Sequence, residues 1–333
     1  MPELPSPAEQ NGERWLTVSV RLATDAAWAK AGHEVASGQG LVSPGAPRGV
    51  AGDAAAVASS DLGWTLGQAR FDARGRLVGL GEVELDGVNF DLFRAWIDNE
   101  RMGGGRVIRE AGEAIGLHRL HTSVLSVEEA DGALVVTTRT AAAASSRDYV
   151  ARFEWRGIGD ALVLDLTAEP HGPWGEQMLP RLGLTMPVPR SLDQLTWFGR
   201  GPGESYVDSH EAQKVGRWHA SVDELQTPYV APQGNGHRSE VRWAEIGSGS
   251  QGFRVTVLDG SENISVSLAP WSQHTLRAAK HTADLVADRV NWLSLDARVA
   301  PVGSGACGPL PQEHRRVTAQ PVSLRLAFTP LGS

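Results

Sequence analysis

Carboxylates come first, because six of them fall in stretches rich in glycine, proline and aromatics: Asp98, Glu100, Glu204, Asp208, Glu211 and Glu240. Breaking a glycosidic bond takes two carboxyl groups across it, one to protonate the leaving oxygen and one to attack or to activate water. No pair among the six has a spacing that fixes its mutual geometry, so an acid and a nucleophile cannot be assembled from the chain. His118 and His121 are spaced like a metal pair, yet they lead into a strand-like run, where that spacing sends them to opposite faces. Cys307 could be a nucleophile, but Gly305-Ala306-Cys307-Gly308-Pro309 brings no positive neighbour to lower a thiol pKa, and a packed or loop cysteine is the plainer reading. Gly199-Arg200-Gly201-Pro202-Gly203-Glu204 makes a poor phosphate loop, because Pro202 withholds a backbone donor and no βαβ pattern surrounds it. No GxxxxGK[ST], HExxH or CxxC pattern occurs, and no metal site is assigned.

Three segments concentrate side chains that a plain scaffold would not need. The first, Phe93 to Gly105, sets large aromatics beside Arg94 and Asp98 and ends in three glycines, Gly103 and Gly104 among them. The second, Trp197 to Asp208, carries Trp197, Glu204, Tyr206 and Asp208, and the third, Pro228 to Arg238, carries Tyr229, Asn235 and Arg238. Aromatics, carboxylates, amides and arginines on glycine- and proline-shaped loops suit a carbohydrate site or a tight interdomain contact. They equally suit packed loop crossings at the end of a β-sandwich, where arginines and aspartates satisfy backbone groups.

The elements that must position these segments read as β almost throughout. Leu16, Val18, Val20 and Leu22 alternate with polar residues. Trp64–Leu66 and Gln68–Phe71 lead through Asp72 to Gly75 into a return run, Leu77 to Leu85. Thr122–Val127 turns at Asp131-Gly132 and returns through Leu134–Thr138, and Tyr149–Arg156 pairs with Leu162–Ala168 across Gly157 to Asp160. Leu182–Val188, Arg238–Ile246, Phe253–Leu258, Ile264–Leu268, Trp292–Val299 and Val322–Phe328 are further strands; Arg106–Ile115 is the one helical candidate. So many short strands predict an all-β fold, a large antiparallel β-sandwich. Ala36 to Ser60, poor in large apolar residues, reads as a linker or strap. It divides the chain into 1–40, a strand piece too small to close a sandwich alone, 41–60, and the body 61–333.

Composition narrows the partners. With 31 Lys and Arg against 39 Asp and Glu, the net charge is −8, which argues against nucleic acid or an anionic membrane as the main partner. No apolar run approaches the ~20 residues that span a bilayer. The start has no apolar signal core, and a lone cysteine forms no internal disulfide, so a cytoplasmic protein is expected. Eleven tryptophans against 7 Phe and 3 Tyr suit either a large core or sugar-stacking surfaces, core being the plainer choice.

The segments also carry a resemblance. "DLFRAWIDNERMGGG", "WFGRGPGESYVD", "TPYVAPQGNGHRSEVRW" and "LSLDARVAPVGSGACGP" resemble, in order, signatures of the C-terminal domain of the bacterial β-galactosidases of glycoside hydrolase family 2. "ELPSPAEQNGERWLTVSVRLATDAAWAKAGHEVASGQ" is similar to the last strands of their preceding immunoglobulin-like domain. The resemblance implies a galactose-mutarotase-like supersandwich behind an immunoglobulin-like remnant, present as a small subunit or fragment that completes the cleft for β-galactosides such as lactose. It implies that the catalytic glutamates and the Mg and Na sites lie on a (β/α) barrel absent from this chain. This chain would then hold no cofactor, be inactive alone, and partner a barrel-bearing chain or copies of itself. Arg94, Asp98 and Asn99 would lie at the cleft, a closing loop would start near Gly103 and Gly104, and Cys307 would stand where some members stack an aromatic on the leaving-group sugar. Trp96 and Ile97 stand where small residues or proline are usual, and Glu100 where aspartate is. Two rival readings are a free-standing carbohydrate-binding module and an aldose 1-epimerase-like enzyme, for which His210 with Glu204 or His237 with Glu240 would be acid and base.

Overall fold

Alternation of period two becomes hydrogen-bonded ladder along most of the chain. The structure is a computed structural model that describes residues 12–249, 251–303 and 310–332, so the expectation placed on Cys307 lies outside the described residues. Chain contacts divide it into two units, Met1–Arg48 and Gly49–Ser333.

The first unit is a two-stranded antiparallel ribbon of Arg14–Arg21 and Glu34–Ser43. Its alternating apolar face is open: Leu16, Val18 and Val20 are exposed, as is Trp28. Two strands have no second layer to bury such a face against. The boundary expected at residue 40 falls inside strand Glu34–Ser43, because Ser37 to Ser43 are laddered to Arg14–Ser19.

The second unit is all-β and antiparallel. Its large sheet has, in spatial order, Leu120–Ala130, Ala133–Ala142, Asp148–Ile158, Ala161–His171, Val322–Pro330, Gln251–Val257, Trp243–Ser248, Gln194–Gly201 and Lys214–Ser221, with Ala54–Ala55 paired beside Asp148–Ile158. A five-stranded sheet runs Arg238–Val241, Ile264–Ala269, Val290–Val299, Arg181–Pro189 and Asn89–Asp91. A meander holds Val57–Ser60, Gly63–Leu66, Ala69–Phe71, Leu77–Leu80 and Val83–Glu84. Inward positions of Asp148–Ile158 are Tyr149, Ala151, Phe153 and Trp155, all buried in one apolar core with Leu164, Leu184, Phe253, Leu295 and Phe328. The strap expected over 41–60 is partly strand, and Val50 covers the outer face of the large sheet on a small cluster of Ala161, Val163, Leu258 and Ala327.

Turn chemistry explains where the expectations held and where they broke. Asp131 (φ 50°) and Gly132 (φ 70°) both take left-handed backbone, which joins Leu120–Ala130 to Ala133–Ala142 as expected. The run Leu77–Leu85 is not one strand: Gly81 (φ 54°) folds it back into Leu77–Leu80 and Val83–Glu84. Arg238–Ile246 is not one strand either, since Glu240 (φ 52°) breaks it and its two halves enter different sheets. The helix expected at Arg106–Ile115 is present as Arg106–Ala114, and Gln273–Ala278 adds a short one capped by Ser272, whose Oγ accepts from Thr275 N at 3.0 Å. Tryptophan goes mostly to the core: Trp96, Trp155, Trp174 and Trp197 are buried and only Trp28 is fully open.

Candidate functional site

The three segments converge. Arg94, fully buried, forms two hydrogen bonds to Glu100 (Nη2 to Oε1 2.8 Å, Nη1 to Oε2 3.3 Å), and Glu100 Oε2 also accepts from Ile97 N at 3.0 Å. This closes Asp98–Arg101 into one helical turn and turns Asp98 and Asn99 outward, both half-buried. Trp96 and Ile97, the departures from the family pattern, are core residues. The Trp96 indole donates to Glu113 at 3.2 Å and lies so close to Gly112 that a Cβ there would stand 2.5 Å from its ring. The stretch from Gly103, expected as a closing loop, is a 3-10 turn, Gly103–Gly105, leading directly into helix Arg106–Ala114; Gly103 and Gly104 are exposed.

From the third segment, Gln233 grips Asp98 twice: its Oε1 accepts from Asp98 N at 3.0 Å and its Nε2 donates to Asp98 Oδ2 at 2.9 Å. Arg101 Nη2 donates to Pro232 O at 2.9 Å, and Asn235 holds the turn by accepting from Thr227 N at 3.0 Å. Glu204, from the second segment, accepts from the Tyr229 hydroxyl, from Gly236 N at 2.9 Å and, at 3.5 Å, from the Tyr206 hydroxyl. Asp208 accepts from Val302 N at 3.2 Å and Gly303 N at 2.7 Å, while Asn99 Nδ2 donates to Val302 O at 2.7 Å. Sequence reasoning thus marked segments that meet, but it passed over Gln233, Arg101 and the pairing of Arg94 with Glu100. Gln233 sits inside a segment already singled out, between Pro232 and Gly234, where a buried amide is the natural clamp for backbone groups.

Trp197 and Arg238 lie beneath this surface. Trp197 is fully buried, its indole donating to Arg200 O at 2.9 Å, and Arg238 stacks over it with Cζ 5.4 Å from the ring centre. Arg238 donates to Leu225 O at 2.9 Å, Gly236 O at 2.7 Å and Pro202 O at 3.1 Å; burial lowers its pKa to about 10. Neither can stack on a sugar. Burial, reinforced by Glu204, pushes the phenols of Tyr206 and Tyr229 up, so both remain hydrogen-bond donors. At the surface stand Asp98, with its side chain 46 % exposed, and Tyr229, 37 % exposed, beside the apolar Met102, Val207 and Val230.

The nominated acid–base pairs do not form as expected. His210 faces Glu240 (3.4 Å) and Glu211 (3.1 Å) instead of Glu204. His237 faces Asp296 at 3.6 Å instead of Glu240, because Glu240 turns away with the strand break. Among the described residues no three His, Cys, Asp or Glu side chains gather closely enough to hold a metal ion, and no helix is long and apolar enough to cross a membrane.

The sequence pattern of the family described as "Beta galactosidase small chain" matches residues 68–329. The chain belongs to this family. A second pattern, "Beta-galactosidase, domain 4", matches residues 1–43. Among its relatives, a β-galactosidase of Arthrobacter sp. (strain B7) is 33 % identical over 91 % of this chain and 32 % of its own length. The β-galactosidase BgaC of Bifidobacterium adolescentis is 29 % identical over 93 % of this chain and 31 % of its own. The chain therefore spans about a third of the length of these curated relatives. A galactose mutarotase-like protein from Lactobacillus casei is similar in structure at a TM-score of 0.41 and 10 % identity, covering 82 % of this chain and 96 % of that one.

Beneath the small-chain site lies a buried charge cluster that no spacing announced, since its members come from distant strands. Arg181 Nε donates to Asp296 Oδ1 at 2.8 Å and its Nη1 lies 3.3 Å from Asp91. Burial raises the Asp296 carboxyl to about 6 against the pull of Arg181. Burial, then the charges of Arg181, Arg94 and Arg238, hold His237 well below its usual value. The unfolded chain protonates His237 near pH 6.5 and the folded chain does not, so stability is present above that pH and falls as acid binds the unfolded state. Asp296 acts oppositely: its raised pKa favours the fold at low pH and loses that advantage as pH rises from 3.8 to about 6. Urea midpoints should therefore drop as pH falls through about 6.5 and flatten from about pH 6 downward, where Asp296 takes up its proton in the fold. His237→Gln should shrink that drop to the part that His118, also held low by burial, supplies; an unchanged slope in the variant would contradict the assignment.

Proposed function

We propose that this chain is the part of a β-galactosidase that completes the sugar cleft, working in the cytoplasm with a barrel-bearing chain that carries the bond-breaking carboxylates. The observation that carries this reading is the commitment of every carboxylate the site assembles. Glu100 is consumed by Arg94 and Ile97 N, Glu204 by Tyr229 and Gly236 N, Asp208 by Val302 and Gly303 N, and Asp98 by Gln233. A retaining hydrolase needs one acid and one nucleophile free to reach the same bond. Here the carboxylates instead stiffen loops, and what faces outward is an Asp98 oxygen, a Tyr229 phenol and the flanking apolar side chains. Such a surface suits sugar hydroxyls and a neighbouring protein wall, and among the described residues of the site it offers no second free carboxylate to share a bond with Asp98. The lone cysteine, Cys307, suits a reducing compartment.

The test is a chromogenic β-galactoside offered to homogeneous protein, first alone and then with a β-galactosidase chain lacking its own small-chain region. No turnover is expected alone, and activity on mixing. Saturable turnover by the isolated chain would overturn the reading.

A further inference from the structure

The five-stranded sheet turns Phe90, Leu184 and Leu295 into the core and carries a row of polar side chains on its other face. Asn89 lies opposite Thr185, and Thr185 opposite Ser294, on three neighbouring strands, so the three side chains stand abreast on one face. None has a side-chain hydrogen bond among the described residues, although Ser294 is only 4 % exposed. Ser294 is buried, Thr185 half-buried and Asn89 exposed, so the row is free to pair with water or with a ligand that displaces it. What they face is a half-open cavity of about 340 Å³, lined elsewhere by Trp292, by His274 stacked on Phe93 (ring centres 5.4 Å apart) and by the hydrogen-bonded hydroxyls of Thr122 and Thr140 (3.0 Å).

The charge of the lining identifies the ligand class. Asp91 is its one carboxylate, and that group accepts from Phe93 N at 3.0 Å and lies 3.3 Å from the buried Arg181. A cation would find no free carboxylate there, and an anion would find no lysine or arginine in the lining. Uncommitted amide and hydroxyls in a row, an indole and an imidazole ring, and a volume of a few hundred Å³ suit one uncharged ring bearing several hydroxyls. Beyond Asn89 and Thr122 the cavity continues into a wider groove of about 760 Å³ floored by Phe153 and Trp155, where the buried Thr138 hydroxyl also lacks a partner among the described residues. We infer that this chain binds the terminal hexose of a glycoside or oligosaccharide between strands Asn89–Asp91, Arg181–Pro189 and Val290–Val299, with the rest of the ligand lying along that groove.

The sugar class rests on the cavity itself; only the choice of galactosides as first probes comes from the function proposed above. The experiment is calorimetric and saturation-transfer titration of the full chain with methyl β-galactoside, lactose and methyl β-glucoside, without any turnover readout. Saturable binding with Kd of about 1 mM is expected for at least one glycoside. Lactose or a longer ligand should bind more tightly than the matching monosaccharide. The double change Thr185→Val with Ser294→Ala should weaken binding at least about tenfold, the loss of roughly 1.4 kcal/mol. Asn89→Leu, at an exposed position, should do the same and guards against a folding defect in the double variant. No saturation by any of the three up to about 100 mM, a ligand free energy too small for a built site, would overturn the inference. So would unchanged affinity in a variant that melts like the parent. Either failure leaves the activity test above untouched, because that test reads mixing with another chain and not binding to this one.

Discussion

Arg94→Met should lose about 3–5 kcal/mol of folding stability, because it leaves the Glu100 carboxylate inside the protein with its countercharge gone. Arg94 is fully buried and Glu100 only 4 % exposed, so water cannot take over the lost bonds. Exposed pairs in the same unit, such as Arg298 with Glu262, should change stability by less than about 1 kcal/mol when broken. The mechanism is checked by the double variant Arg94→Met with Glu100→Leu, which removes both charges and should recover most of the loss. Urea denaturation of the parent, Arg94→Met and the double variant settles it: Arg94→Met within about 1 kcal/mol of the parent, or a double variant no better than Arg94→Met, would mean that the pair is not an isolated buried charge couple. The loosened segment holds Asp98 and Asn99, so Arg94→Met should also lower the activity recovered on mixing.

Phe328→Ala should be comparably damaging for a different reason. Phe328 is fully buried on the strand Val322–Pro330, with Trp155 at 5.9 Å and Phe253 at 6.3 Å between ring centres. Its neighbours belong to strands on both sides of it in the large sheet and cannot close together without dragging their ladders, so a cavity remains. Truncation to alanine is expected to cost about 3–5 kcal/mol, against less than about 0.5 kcal/mol for Leu62→Ser, whose side chain is 90 % exposed. Denaturation midpoints for the two variants measure the contrast, and a small loss at Phe328 would show that the core relaxes into the space.

How much was legible in advance follows from how local each signal is. The hairpin at Asp131-Gly132 and the helix Arg106–Ala114 were readable because turn chemistry and apolar spacing act within a few residues. The break at Glu240 was not, since a glutamate in left-handed backbone has no sequence signature, and with it went the nomination of Glu240 as partner of His237. The three converging segments were readable because each carries its own aromatics, acids and glycines. The roles inside them were not: Trp197 and Arg238 stood among the loop candidates and are buried beneath the surface, while the Asp98 clamp fell to Gln233. The Arg181–Asp296–His237 cluster and the row Asn89, Thr185, Ser294 were out of reach for a shared reason. Each is made of single polar residues on separate strands, and only strand register makes them neighbours.

The position of Val322–Pro330 bears on how the molecule is made. It alone joins the half of the sheet ending at Ala161–His171 to the half beginning at Gln251–Val257, and the ribosome delivers it after every other strand described. Until then two sticky edges wait side by side in a nascent chain, each able to take a strand from another polypeptide. Cells making this protein would need chaperones to shield those edges until that strand emerges, and a chain lacking Val322–Pro330 would leave both of them open to foreign strands.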